Sequence, residues 1–426
     1  MTNRSFIRKA GITFVLRVMG AFSGFIMNLV VARTLSLEDS GAFFLSFAFI
    51  TFTGMICTLG LNNAVVKYLG IHTDDQAYGK IKGIVNVSVI AVLSVAVLTS
   101  SLIIIFRDVV VFDLFDKPIL LDLIPYMALS IPFYALYMLF GFVFQGTHNA
   151  SASTFIQSIS TPFIFTAILV SLYCGYQSLS LKTSIQVLTC SYFSSLLVAL
   201  FVWRRSPTNK GELNYQGLSE LYESAKPFWL ILIMQQTLLW AGQLIAGGML
   251  PIQDVALLSV SQRISALVSF VLIAVNMVAA PKFAAIAKKG NLDELRRVSK
   301  FCSRLMLVVS VPILLIMILF SDFILSIFGE QYLAAGSILI VLLLGQFINV
   351  WSGSVAYLLN MAGYENDMRN IVLVTGIITL LLMFLLTSHY GVLGTALATA
   401  IGLCIQNLLA VIFVKLRLGF NTLNIF

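Results

Sequence analysis

Residues 84–106, IVNVSVIAVLSVAVLTSSLIIIF, decide the fold of this chain. This stretch contains no charged side chain and is bounded by Lys82 and Arg107. About 20 apolar residues in helical form are enough to cross the hydrocarbon core of a bilayer. The stretch therefore predicts a membrane-spanning helix.

Similar stretches recur along the whole chain. Of its 426 residues, 59% are hydrophobic and only 10% are charged, whereas soluble proteins carry roughly 25% charged residues. This composition excludes a cytosolic enzyme, a secreted disulfide scaffold and a disordered chain. Because the short period-2 segments of a membrane β-barrel are missing, the expected fold class is an all-α polytopic membrane protein. Twelve transmembrane helices are predicted, at 11–34, 40–62, 84–106, 119–145, 151–175, 183–203, 227–250, 252–280, 303–320, 333–360, 369–388 and 391–414.

The basic residues predict the orientation of these helices. Cytoplasmic loops carry an excess of lysine and arginine, and 20 of the 26 basic residues fall in the two termini and the even-numbered loops. The opposite loops carry mostly aspartate. We therefore expect both termini in the cytoplasm. The net charge of +8 mainly reflects this topology and does not indicate nucleic-acid binding.

The two halves of the chain resemble each other at an offset of about 213–216 residues. Leu35–Asp39 matches Leu250–Asp254, and Phe106–Asp108 matches Phe320–Asp322. Six helices in each half predict two pseudo-symmetric lobes around a central cavity, with residues 1–210 in the first lobe and 211–426 in the second. Transporters built from such repeats bind substrate near mid-membrane between the repeats.

Two arginines lie inside predicted spans, where a charge is costly unless it faces a cavity or a partner. Arg263 follows the start of the eighth helix by 11 residues, which places it about 17 Å deep at 1.5 Å per residue. Arg17 is nearer the end of the first helix, so its side chain has the alternative of reaching the membrane surface. Its neighbours Gly20 and Gly24 also fit a plain helix-packing motif.

The first, second, seventh and eighth predicted helices carry most of the other polar residues inside the membrane. Four further amides are interpreted as forming hydrogen bonds between helices: Gln346, Asn349, Gln406 and Asn407. Every carboxylate lies at a loop or a helix end, so the predicted interior is cationic and suits an anionic substrate such as a diphosphate. No cofactor or metal is expected, since there is no CxxC pair, no histidine cluster and no phosphate loop. The candidate cavity residues are Arg17, Asn28, Arg33, Asn63, Lys67, Gln236, Trp240, Gln243, Gln262, Arg263, Asn276 and Lys282.

Several short stretches resemble the Wzx-type O-antigen flippases, the polysaccharide transporter branch of the multidrug/oligosaccharidyl-lipid/polysaccharide (MOP) exporter superfamily. They occur in the family's order along nearly the whole chain. They are Arg33–Gly41, Leu59–Ala64, Ser259–Ile264, Pro281–Phe283, Phe328–Tyr332 and Leu359–Gly363.

The resemblance implies two six-helix lobes around a cationic cavity lined by the first, second, seventh and eighth helices. It also implies a cargo, an undecaprenyl-diphosphate-linked oligosaccharide, that moves from the cytoplasmic to the periplasmic leaflet of the bacterial inner membrane by alternating access. Membrane lipids are then partners, and a glycan polymerase or chain-length machinery is a candidate partner. A cation-coupled small-molecule or multidrug exporter of the same superfamily is the main alternative, although it would need buried acids. A membrane-embedded polymerase or ligase would need a long outer loop, and a scaffold protein is the remaining option.

Overall fold

The computed structural model describes residues 3–176, 178–210, 212–215 and 218–422, and within these ranges it contains helices and no strand. The α-helices are α1 (Asn3–Thr34), α2 (Leu37–Ile56), α3 (Leu61–Asp74), α4 (Tyr78–Ile105), α5 (Ile124–Gly146), α6 (Ala150–Thr154), α7 (Thr161–Tyr176), α8 (Leu181–Arg205), α9 (Leu218–Met249), α10 (Ile252–Ala266), α11 (Ser269–Lys288), α12 (Leu292–Leu319), α13 (Ser321–Ser326), α14 (Gly336–Ser352), α15 (Val355–Met361) and α16 (Glu365–Leu418). A π-helical segment, Phe155–Ser160, joins α6 to α7.

The outer helices expose apolar side chains that only lipid would cover. Along α4, for example, Leu98, Leu102 and Ile105 are exposed, and fewer than a third of its most apolar residues are buried. Among the described residues, eleven helical segments are long and apolar enough to cross a membrane. The chain is therefore a multi-pass membrane protein with an all-α fold.

The eleven segments include one of 54 residues, α16, which covers both of the last two predicted spans. Its backbone leaves the helical region at Gly391, where φ is +59° and ψ is −143°, a conformation that favours glycine. Two contacts show that the chain reverses direction there. The hydroxyls of Thr387 and Thr395 are 2.8 Å apart, and a β-carbon on Gly402 would overlap Thr379. Two antiparallel arms therefore form α16, and the count of twelve spans stays a prediction.

A cysteine pair tests this reversal. We expect Thr387→Cys combined with Thr395→Cys to form a disulfide on mild oxidation, because the two side chains touch in the hairpin. In one continuous helix the same residues would lie about 12 Å apart along the axis. Mass spectrometry of proteolytic fragments would detect the bond, and Thr387→Cys with Ile401→Cys is the control pair that should not link. A missing 387–395 bond would contradict the hairpin.

The predicted second span, 40–62, is wrong in its extent, because the helix is interrupted before residue 62. Helix α2 ends at Ile56 and α3 begins at Leu61. Between them Leu59 and Gly60 adopt positive φ angles of 55° and 72°, which no helix accommodates. The break produces a separate helix, α3, at this position.

Two spans of the second half are also interrupted. Predicted span 333–360 divides into α14 and α15 at Gly353, where φ is +76°. A β-carbon on Gly353 would overlap Ser303 of α12, so both the backbone angle and the packing require glycine. Predicted span 252–280 divides into α10 and α11 at Leu267–Val268, and the helical part runs on to Lys288.

The structure divides into two compact units, Met1–Trp240 and Ala241–Phe426. In the first unit, α5 is the central helix, and it packs against α2, α3, α4 and α8. Tyr134, Tyr137 and Tyr192 form a buried aromatic cluster with ring centroids 5.3–5.7 Å apart, and Gly54 of α2 lies against Tyr134. Aromatic packing of this kind holds α2, α5 and α8 together.

In the second unit, α14 packs against α10, α12 and α16. Buried residues of α11, α12, α15 and α16, including Phe283, Leu295, Leu358 and Val414, form its main hydrophobic cluster. The predicted lobe boundary at 210/211 stays a prediction, and its residue Gly211 lies outside the described residues.

Candidate functional site

The polar face of α1 divides into a buried part and an exposed part. Asn28 is buried, and its side-chain amide donates a hydrogen bond of 2.5 Å to the Gly24 carbonyl of the same helix. Gly20 packs closely on Ser158, 2.6 Å from where its β-carbon would stand. Arg17 is exposed. Helix packing therefore explains Gly20, while the proposed binding role of α1 rests mainly on Arg17.

The candidates near α2 and α3 are on the surface of the first unit. Arg33, Asn63 and Lys67 are all exposed, and the last two share one face of α3 because they are four residues apart. Lys67 Nζ lies 5.2 Å from the centre of the Tyr68 ring. Next to them Asn62 is only 1% exposed, and its amide atoms make no hydrogen bond to the described residues.

The part of α9 that belongs to the first unit carries two candidates that contact each other. The indole N–H of Trp240 donates to Gln236 Oε1 at 3.3 Å. The Trp240 ring is 9% exposed and meets Phe47 of α2 edge-on, with centroids 5.7 Å apart. The contact between Trp240 and Phe47 joins α9 to α2 within the first unit.

In the second unit, Gln243 and Gln262 connect α9 to α10. Gln243 Nε2 donates to Gln262 Oε1 at 2.9 Å. The two helices approach closely at Gly242, whose β-carbon would be 3.0 Å from Gln262 Nε2. Oε1 of Gln243 is buried and accepts no hydrogen bond from the described residues.

Arg263 follows Gln262 and is half-buried in the last turn of α10. Its position, 11 residues after Ile252, is about 17 Å along the axis, deep in a segment long enough to span the membrane. The acid of α10, Asp254, is in the first turn. A cation near the carboxyl end of a helix is stabilised by the helix dipole. Arg263 therefore has a structural role at the end of α10 besides the binding role predicted from the sequence.

The last two candidates are on α11. Lys282 is exposed, whereas Asn276 is buried and lines a cavity of about 200 Å³ that the second unit forms by itself. Asn349 and Asn407, interpreted from the sequence as interhelical hydrogen bonds, line the same cavity. The structure thus groups Asn276 with two residues that were not predicted to belong to a site.

Comparison with known proteins identifies the family. A model of the family described as "Polysaccharide biosynthesis protein" matches residues 6–287, which is well over half of the chain. The chain belongs to the polysaccharide biosynthesis protein family. The resemblance read from the sequence is thereby confirmed at the level of the family.

Individual relatives of this family member include both flippases and drug transporters. A protein of Shigella flexneri named "Putative O-antigen transporter" is 22% identical over 395 residues, covering 89% of this chain and 90% of the relative. An inward-facing multidrug resistance MATE family transporter of the MOP superfamily matches with a TM-score of 0.75 at 12% identity, covering 96% and 98% of the two chains. The lipid II flippase MurJ matches with a TM-score of 0.74 at 16% identity, covering 96% and 87%. The fold is therefore that of the MOP superfamily, and these relatives are transporters and flippases, not enzymes.

The sequence did not predict this cavity, because neutral amides in apolar spans are a weak signal for a binding site. Interhelical bonding is confirmed for Gln346, which accepts from Ser269 of α11 at 3.0 Å, and for Asn407, which accepts from Ser352 of α14 at 3.0 Å. Asn407 also lines the cavity, which lies beside the break between α14 and α15 at Gly353. A break of this kind inside an apolar span would have been the signal to look for.

Proposed function

We propose that the chain is a flippase that moves an anionic undecaprenyl-diphosphate-linked oligosaccharide, of O-antigen or similar type, from the cytoplasmic to the periplasmic leaflet of the bacterial inner membrane. Both termini are in the cytoplasm, and the cargo passes by alternating access through a cationic central cavity. Membrane lipids surround the protein, and a glycan polymerase or chain-length machinery receives the cargo. The name of the Shigella flexneri relative and the family membership support this choice of cargo.

The position of Arg263 carries the proposal. A half-buried arginine deep in a membrane-spanning segment is costly unless it faces a cavity or a protein partner, and we propose that Arg263 faces the cargo cavity. Its planar guanidinium donates two parallel hydrogen bonds to a phosphate, a geometry that lysine lacks. In the proposed cycle Arg263 holds the diphosphate, while the exposed cations Arg17, Arg33, Lys67 and Lys282 attract it, and Asn28, Asn63, Gln236, Trp240, Gln243, Gln262 and Asn276 supply the polar surface.

The charge of the cargo suits the membrane potential as a source of energy. An inside-negative potential drives an anion outward by about 2.3 kcal/mol per charge per 100 mV. A dianionic head group therefore gains roughly 4–5 kcal/mol at 100 mV without a coupled ion. The sequence places no carboxylate deep in a span where a coupling cation would bind.

Proteoliposomes test the proposal directly. We expect the purified protein to make inner-leaflet undecaprenyl-diphosphate-linked oligosaccharide accessible to an impermeant glycosidase added outside. The rate should rise with an inside-negative potential and should not require a proton or sodium gradient, because the charge of the cargo itself responds to the potential. Liposomes without protein are the control.

The opposite pattern would favour the multidrug exporter. In that case the protein would move a fluorescent organic cation when a proton or sodium gradient is imposed, and the lipid-linked glycan would stay on its original leaflet.

A further inference from the structure

We infer that the cavity of the second unit binds an uncharged sugar ring of the cargo, separately from the diphosphate site. This inference rests on the proposed function and adds to it a binding site for the glycan. The cavity has a volume of about 200 Å³ and lies among α11, α14, α15 and α16. Its polar lining consists of Ser269, Asn276, Asn349, Ser354, Tyr357 and Asn407.

The chemistry of this lining suits hydroxyl and acetamido groups. None of the residues that line the cavity is charged, so an ion would have no counter-charge there. Side-chain amides and hydroxyls offer both donors and acceptors, which is what a sugar ring with several hydroxyl groups requires. A lipid acyl chain would leave the buried acceptor Asn276 Oδ1 without a partner, at a cost in free energy.

Hydrogen bonds behind the lining hold the amides in place. Gln346 Oε1 accepts from both Ser269 Oγ at 3.0 Å and Asn349 Nδ2 at 3.1 Å. Asn407 accepts from Ser352 at 3.0 Å, and its own amide donates to the Leu403 carbonyl at 2.9 Å. Side chains fixed in this way lose little further entropy when a ligand binds.

One lining group needs an additional partner. Asn276 is 5% exposed, and its Oδ1 is buried without a hydrogen bond from the described residues. A buried acceptor of this kind is destabilising, and a hydroxyl donated by a ligand in the cavity would satisfy it. Asn276 therefore points to a ligand that carries hydrogen-bond donors.

The backbone around the cavity supports a binding role. Gly353, at the break between α14 and α15, lines the cavity. Irregular backbone at membrane depth is tolerated where it is buried in protein or lines a water-filled cavity, and transporters use broken helices to bind their substrates. The break thus gives the cavity a place in the transport cycle.

The size and opening of the cavity fit a single ring. Its volume of about 200 Å³ equals that of about seven water molecules at roughly 30 Å³ each, which is comparable to one sugar ring. Tyr357 and Ile273 line it and are 42% and 39% exposed, so the cavity opens to the surface beside them. The ring of Tyr357 offers an apolar face for the C–H side of a sugar and a hydroxyl for its polar edge.

Binding of two lipids to the full-length protein in detergent tests the inference. The probes are undecaprenyl diphosphate and undecaprenyl diphosphate that carries one N-acetylglucosamine. We expect wild type to bind the glycosylated lipid about tenfold more tightly, the contribution of roughly one or two net hydrogen bonds. Asn276→Leu, which keeps the shape but removes the amide, should bring this ratio close to one by weakening the binding of the glycosylated lipid.

Two further variants make the outcome decisive. Tyr357→Ala removes a half-exposed side chain and should also lower the ratio, which keeps the test valid if Asn276→Leu does not fold. Asn360→Leu changes an exposed asparagine on the same helix, α15, and should keep the tenfold ratio. An unchanged ratio in both cavity variants, or a ratio of one in wild type, would overturn the inference alone. Failure of wild type to bind either lipid would overturn the proposed function and this inference with it.

Discussion

Replacing Arg263 by alanine is expected to lower export of the lipid-linked glycan about a hundredfold while the protein remains in the membrane. A bidentate arginine–phosphate contact consists of two charge-assisted hydrogen bonds, each contributing roughly 1.5–3 kcal/mol. A loss of about 3 kcal/mol corresponds to about a hundredfold in binding. Surface polysaccharide on intact cells measures export, and an immunoblot of the membrane fraction measures the amount of protein.

A second substitution separates the two roles of Arg263. Arg263→Lys keeps the positive charge near the carboxyl end of α10 but cannot form the planar bidentate contact. If Arg263 only stabilises the helix end, lysine should restore nearly normal export. If it holds the diphosphate, export by the lysine variant should stay well below wild type and above the alanine variant.

The control substitution for this experiment is Arg205→Ala. Arg205 is exposed at the end of α8 and stacks on Phe201, with 4.1 Å from its guanidinium carbon to the ring centre. We expect its loss to leave export unchanged. Normal surface polysaccharide in the Arg263→Ala strain would remove Arg263 from the proposed site.

The sequence predicted the membrane fold well because hydrophobic length is a strong and local signal. Residues 84–106 are almost wholly contained in α4, Tyr78–Ile105, where the requirement to span a bilayer leaves few alternatives. It failed where a helix breaks inside an apolar stretch. Gly353 and Gly60 have positive φ angles, but an isolated glycine in an apolar span is common and does not by itself indicate a break.

The candidate site was predictable only in part, for a related reason. A charge such as Arg263 is conspicuous in an apolar sequence, because burying it is costly. Neutral amides are less conspicuous, since they are equally suited to joining helices and to binding a ligand. Asn349 and Asn407 do both: they belong to interior hydrogen-bond networks and they line a cavity. The second role becomes visible only once α11, α14, α15 and α16 are placed in space around the cavity.

Gly60→Ala is expected to destabilise the first unit strongly. The φ angle of +72° at Gly60 costs an alanine about 1–2 kcal/mol. In addition, the new β-carbon would overlap backbone atoms of Trp229 and Ala225 in α9. Overpacking of this kind typically costs about 1–3 kcal/mol, and backbone atoms cannot move aside as a flexible side chain can. The total is about 3 kcal/mol.

Hydrogen bonds near Gly60 also fix the first half of α9 to α2 and α3. The indole N–H of Trp229 donates to the Ile56 carbonyl at 3.0 Å, an acceptor at the end of α2 that also receives the Leu59 N–H at 3.1 Å. The Tyr68 hydroxyl of α3 contacts Ser224 Oγ at 2.9 Å and donates to the Glu220 carbonyl at 3.1 Å. A displaced α9 would therefore lose several hydrogen bonds at once.

Thermal unfolding in detergent measures the effect, and Gly70→Ala is the matched control. Gly70 lies in α3, the helix that Gly60 precedes, and the nearest atom to its β-carbon position is the Gly146 carbonyl oxygen at 3.9 Å, an ordinary contact. We expect Gly60→Ala to lower the apparent Tm by roughly 5 °C or more and Gly70→Ala to leave it nearly unchanged, since alanine favours a helix interior over glycine. Equal melting of the two variants would mean that α9 does not contact the break between α2 and α3. That result would also contradict the hydrogen bonds by which Trp229 and Tyr68 join α9 to α2 and α3.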